Sequence, residues 1–178
     1  YVAVERITAE LEKLYRGINI KSAKDIIAAT ELKNYMPFFK HIDKDLYIKS
    51  AAQSLEQEAV IHIYKNSSLR EYLSALKLSN RQKTMIKQSL NLLEDLKSDI
   101  NIKLLAYRYE TNILDGVNAI INSNGLLNKD AQQKLQSAID IEPHLAIHDR
   151  SELTIDGNAL MSALNVRGGP WLRKCLDT

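Results

Sequence analysis

The sequence predicts an all-α protein: a multi-helix, bundle-like body followed by a smaller helical tail. Three observations carry that expectation. Apolar residues recur at three- and four-residue intervals along most of the chain, the period of a helix with one buried face. No two alternating runs are joined by a two-residue hairpin signature, and the most β-tolerant stretch, Ala59 to Tyr64, has the length and flanks of a helix. The 178 residues include only six glycines and three prolines, and these punctuate helical patterns.

Taken in order, Val4, Ile7, Leu11, Leu14 and Tyr15 form the first stripe, with Gly17 as its terminator. Ser22-Ala-Lys-Asp25 resembles a capping box that opens a second helix carrying Ile26 and Ile27. Pro37 marks a connector, and Asp43-Lys44-Asp45 reads as the acidic first turn of a helix. Leu55, Ala59, Val60, Ile63 and Tyr64 make another stripe. Ile86, Leu90, Leu93 and Leu96 make the next, opened by Ser79 or Asn80. Ile113, Leu114, Val117, Ile120 and Ile121 are the cleanest helical set and stop at Gly125. Leu135, Ala138 and Ile139 follow a cap at Asn128. Asp156 or Gly157 opens a short helix with Leu160, Met161 and Leu164, and Pro170 starts the last one. The total is about nine or ten helices.

Composition excludes more than it assigns. The chain is 45% hydrophobic, enough for a real core, and its single cysteine allows no internal disulfide. That usage suits a reducing cytoplasm. No apolar run approaches the ~18 residues of a membrane span, and no signal peptide precedes the first stripe. The chain starts on Tyr1, already in helical pattern, as a piece of a longer protein would. Net charge is +2, so a nucleic-acid partner would have to meet one basic face. Such a face is suggested between Leu76 and Arg108. There Lys77, Arg81, Lys83, Lys87, Lys97, Lys103 and Arg108 outnumber Glu94, Asp95 and Asp99.

Catalytic patterns are weak. The Asp43/Asp45 pair lacks the third carboxylate and phosphate-binding loop of a Mg²⁺ site. His148-Asp149 lacks the spaced Asp partners of a metal phosphohydrolase, and His41, His62 and His144 do not supply them; the dipeptide reads as loop polar residues. Cys175 reads as a core residue of the last helix. There is no Walker loop, dinucleotide fingerprint or zinc spacing.

The closing stretch, Asn165-Val-Arg-Gly-Gly-Pro-Trp-Leu-Arg-Lys-Cys-Leu176, is the most informative. Gly168 can end one helix, Gly169 can cap the next and Pro170 suits its first position. The stretch is therefore a helix-to-helix corner plugged by Trp171 and Leu172. Exposed N–H groups at a helix start, with Arg167, Arg173 and Lys174 within a turn, are also the makings of an anion site.

Glu152 to Leu176 resembles the C-terminal signature of bacterial CCA-adding enzymes, the tRNA nucleotidyltransferases. Leu153, Ile155, Gly157, Leu160, Gly169, Pro170, Trp171, Leu172 and Leu176 match it. Asn158 or Ala159 stands where that family usually has an acidic residue, and Arg173 replaces a small one. Val2 to Gly17 is similar to the helix after the family's nucleotide-recognising neck, through Glu5, Arg6, Ile7, Glu10, Leu11, Lys13 and Leu14.

The resemblance implies the following. Residues 1–20 are the end of the neck and the start of the body, 21–100 the helical body and 101–178 the tail, with a soft break near 143–150. The catalytic residues and the Mg²⁺, CTP and ATP they use belong to an absent head, so this segment has no cofactor of its own and is inactive alone. Its partners are tRNA and its own head and neck. RNA-backbone contacts fall to Arg167, Gly168, Gly169, Arg173 and Lys174, with Arg81, Lys83 and Lys87 as a second patch. The alternatives are a helical protein–protein module, or the same region of a poly(A) polymerase relative. A helix-turn-helix DNA binder would want a longer, more polar final helix.

Overall fold

The structure is a computed structural model that describes residues 3–66, 69–148, 152 and 157–171. Among these it contains helices and no strand. The α-helices are α1 (Val4–Tyr15), α2 (Ile20–Ala29), α3 (Lys44–Lys49), α4 (Leu55–Lys65), α5 (Leu69–Ala75), α6 (Asn80–Asp95), α7 (Ile102–Arg108), α8 (Thr111–Asn124), α9 (Lys129–Ile141) and α10 (Gly157–Leu164). Three 3-10 turns, Glu31–Tyr35, Pro37–His41 and Glu142–His144, link them.

The helix starts follow local chemistry. Asp43, Ser54, Ser79, Asn101 and Asn128 each cap a helix by accepting a backbone N–H. Ser79 and Gln82 form a full capping box. The Ser22 box does not form. α2 starts at Ile20, and Ser22 is an exposed residue of its first turn. The inner face of α2 decides this: Lys24, Ile27 and Ala28 are buried, and Ile20 packs against the same core. Starting at Ile20 brings Ile20 and Lys24, one turn apart, onto that face, and this outweighs one hydroxyl cap.

α4, α6 and α8 pack on one another at the centre, α8 also on α9, and α9 on α7. Ile61, Ile86, Leu92, Leu93, Leu114, Val117 and Ile121 fill the space between them, each fully buried. α1 lies against α2 and α4 through Ile7, Leu11 and Tyr15. α10 differs: none of its residues is buried, and Leu164 is 55% exposed. No helix among the described residues is long and apolar enough to cross a membrane.

α8 ends on Gly125, with φ +59° and ψ +42°, and the Gly125 N–H closes on the Ile121 carbonyl at 3.0 Å. A Cβ at Gly125 would meet nothing within 4 Å, so its cost is backbone strain alone. Gly125→Ala is therefore expected to lower stability by about 1–2 kcal/mol in a urea melt. Gly125→Asn is expected to lose less, because asparagine tolerates this region.

Candidate nucleic-acid interface and a buried polar hub

The closing corner forms, but its parts differ from those expected. The residue that ends α10 in the left-handed region is Asn165, with φ +49°, not Gly168. The Val166 N–H bonds the Met161 carbonyl at 3.2 Å and the Asn165 N–H bonds that of Ser162 at 3.4 Å. This is a Schellman closure, and asparagine, which can adopt φ > 0, supplies it three residues before the glycine. Gly168 serves close approach instead: a Cβ there would lie 3.0 Å from Met161 Sδ. Helical geometry resumes at Pro170, which leaves Gly169 in the capping position, and Trp171 Nε1 donates to the Arg167 carbonyl at 3.0 Å. Arg167, Gly168 and Gly169 are exposed together in this corner. Arg173 and Lys174, with Leu172, Leu176 and Cys175, lie outside the described residues.

The second patch sits at the start of α6. Lys83 and Lys87 are one turn apart and share a face, whereas Arg81 projects roughly 120–160° away from them at about 100° per residue. None of the three makes an ion pair among the described residues. Three of the four other cations of the basic stretch are paired: Lys77 with Glu5 at 3.6 Å, Lys97 with Glu94 at 2.9 Å and Arg108 with Asp95 at 2.7 Å. Lys97 also sits over the Tyr64 ring, 4.5 Å from its centroid. These pairs are largely solvent-exposed and worth little to stability. They do reduce the cations free to meet phosphate.

Asp43 and Asp45 occupy an acidic helix start: Asp43 Oδ1 accepts the Leu46 N–H at 3.0 Å, and Asp45 lies in the first turn. His148 is an exposed loop residue whose N–H bonds Glu152 Oε2 at 3.0 Å. Among the described residues no group of three His, Cys, Asp or Glu side chains is placed to hold a metal ion.

Sequence reasoning missed one feature. His62, dismissed above only as a metal ligand, is fully buried in α4, beside Glu58 and Lys24, each 1% exposed. Glu58 Oε2 accepts from Lys24 Nζ at 2.5 Å, Ser50 Oγ at 2.7 Å and the Tyr15 hydroxyl at 2.9 Å. Its Oε1 lies 2.9 Å from His62 Nε2. Lys24 Nζ also donates to the Ser50 carbonyl at 3.1 Å, and it sits 5.0 and 5.5 Å from the ring centroids of Tyr47 and Tyr15. Tyr72 stacks on His62 with ring centroids 6.3 Å apart.

Burial pushes the Glu58 carboxyl up. The hydrogen bond to His62 and the Lys24 charge outweigh it, and the pKa ends below the usual carboxylate range. Burial first, then the Glu58 charge, holds the Tyr15 and Tyr72 phenols well above 10.0. The hub is thus a lysine–carboxylate pair lined by neutral phenols. The available signal was Glu58 and His62, spaced i and i+4, standing among the apolar residues of α4.

Comparison with known proteins agrees with the all-helical architecture. The family model described as tRNA nucleotidyltransferase domain 2 matches residues 52–178. The CCA-adding enzymes of Staphylococcus aureus strains bovine RF122 / ET3-1 and MRSA252 are each 31% identical over 186 residues. Both alignments cover 99% of this chain and 46% of the relative, so the chain spans about half the length of these relatives. Its fold is also that of part of the crystal structure of Bacillus stearothermophilus CCA-adding enzyme in complex with CTP. That match has a TM-score of 0.71 at 23% identity and covers 99% of this chain and 46% of the other. With the central helices α4, α6 and α8 and the closing Gly-Gly-Pro-Trp corner inside the matched residues 52–178, the chain belongs to the tRNA nucleotidyltransferase domain 2 family.

Proposed function

We propose that this chain is the tRNA-holding body and tail of a CCA-adding tRNA nucleotidyltransferase. In this reading it grips the acceptor stem and elbow while a head outside the chain adds C, C and A from CTP and ATP with Mg²⁺. The observation that carries the reading is the alignment of 99% of the chain with CCA-adding enzymes about twice its length. Recognition is of RNA shape through sugar-phosphate contacts, which needs cations and backbone donors more than base-reading side chains. The exposed corner at Arg167, Gly168 and Gly169, with Arg173 and Lys174, supplies one such surface. Lys83 and Lys87 supply another, with Arg81 at its edge. The head and neck would meet the body beside α1. There Ile7, Leu11, Leu14, Ile27 and Met36 line an apolar groove of about 300 Å³, flanked by the exposed Leu32 and Tyr35.

The test is tRNA binding against an unstructured RNA of equal length and a duplex DNA, at several salt concentrations. Preference for tRNA is expected, with affinity falling as salt rises. Lys83→Ala/Lys87→Ala is expected to weaken binding and to flatten the log–log salt slope by roughly two, about one for each phosphate no longer neutralised. Equal affinity for all three nucleic acids, or a slope unchanged in the double variant, would count against the assignment. A protein–protein module, the other reading, would show no salt-dependent RNA affinity.

A further inference from the structure

We infer that the Glu58 hub is a positioning device. Tyr15, its member on α1, would set the rate of nucleotide addition by fixing the angle of α1 on the body. This rests on the proposed function above, in which the catalytic half joins the body beside α1.

The argument starts from what the two kinds of contact can do. Ile7 and Leu11 hold α1 by apolar packing, which is nearly indifferent to small rotations. The Tyr15 hydroxyl holds it by a directional bond to Glu58 Oε2, at the last residue of α1. The same oxygen gathers Lys24 from α2 and Ser50, which caps the end of α3. One carboxylate on α4 thereby locates three other segments. Two further hydrogen bonds hold α1: the Lys77 N–H donates to the buried Thr8 Oγ1, and Gln82 Nε2 donates to Glu12 Oε1. Both of those bonds run to α6 and the connector before it; among the described residues the Tyr15 bond is the one side-chain hydrogen bond from α1 to α4, so it sets the angle between these two helices.

Stability alone does not explain such a hub. Apolar side chains of similar volume usually hold a core as well as a buried ion pair does, and ion pairs retained in cores are best attested where they set register. The surroundings point the same way. The Tyr47 and Tyr72 hydroxyls and His62 Nδ1, all buried, make no hydrogen bond to any described residue. A core arranged for stability alone would leave out these three polar atoms.

The lever is long enough to matter. α1 has 12 residues, about 18 Å at 1.5 Å per residue, so a tilt of roughly 10° about Tyr15 moves its far end by about 3 Å. Misplacing reacting groups by ~1 Å can cost ~100-fold in rate.

The experiment uses the full-length protein that contains this chain, with tRNA lacking its CCA end, CTP and ATP. Wild type, Tyr15→Phe and Ser50→Ala are compared for melting temperature, tRNA affinity, KM and kcat, well below every melting point. Ser50→Ala removes another donor to Glu58 and leaves α1 tethered. Tyr15→Phe is expected to fold and to keep tRNA affinity within about twofold, yet to lose about tenfold or more in kcat. Ser50→Ala is expected to keep its kcat. The inference is overturned if kcat is unchanged in Tyr15→Phe, if both variants lose it equally, or if Tyr15→Phe fails to fold. A wild type that neither binds tRNA nor extends it would instead sink the functional reading beneath it.

Discussion

Glu58→Gln is expected to lower the unfolding free energy of this chain by about 3–5 kcal/mol, because it leaves Lys24 charged and buried with no counter-ion. That is a large share of the roughly 5–15 kcal/mol that stabilises a typical domain. In urea, with a slope of about 2 kcal/mol/M, the midpoint falls by roughly 2 M. A change below about 1 kcal/mol would mean that water reaches the hub and that the burial is only apparent. The paired replacement Lys24→Met/Glu58→Met removes both charges and is expected to recover only the part due to the unpaired lysine, because the Tyr15 and Ser50 hydroxyls and His62 Nε2 stay buried without their partner. Acid should act like the single variant. The folded pKa of Glu58 lies below the ordinary carboxylate value, so its contribution is complete above the unfolded pKa. It is lost as pH falls through the folded pKa. The wild type is therefore expected to lose stability more steeply on acidification than the Lys24→Met/Glu58→Met protein. Equal pH profiles would show that Glu58 carries no such linkage.

Leu114→Ala should destabilise by about 2–5 kcal/mol, the range for a buried leucine whose loss leaves a cavity. Leu114 is fully buried on α8, which packs against α4, α6 and α9. Three neighbouring helices cannot all close in on one hole, which argues for the upper part of that range. Leu164→Ala on α10 provides the contrast. That side chain is 55% exposed, and its loss should stay within about 0.5 kcal/mol. If the two losses in the urea melt were alike, α10 would be buried in solution and the described exposure of the tail would be wrong.

The helices were legible wherever the signal was local. Ile113, Leu114, Val117, Ile120 and Ile121 announced α8, and all five are buried. Ser79, Asn128 and Gly125 act at their helix ends as read, because a cap or a left-handed stop involves only a few neighbouring residues. The failures were of other kinds. Ser22 had the right local chemistry for a cap, but the packing of Ile20 and Lys24 overrode it. Gly168 was assigned a stop that Asn165 performs, since both residues tolerate the required φ.

The candidate interface was legible as composition and partly as geometry. The Gly-Gly-Pro-Trp corner can be read directly, because its residue types have few other uses in that order. Which cations remain free could not be read. Lys77 is paired with Glu5, 72 positions away, and Arg108 with Asp95 across a helix junction.

By itself, then, this sequence determined the helical class, the caps at Ser79 and Asn128, the stop at Gly125, and the family signature at its close. Each of these depends on residues within a turn or two of one another. Only the tertiary structure decided that Lys24, an ordinary lysine in any local window, is buried against Glu58, 34 residues on, with Tyr15 and Ser50 converging on the same oxygen. A helical period records which face turns inward. It does not record which polar group on another helix will be waiting there, and a buried charge is tolerable only when that partner arrives.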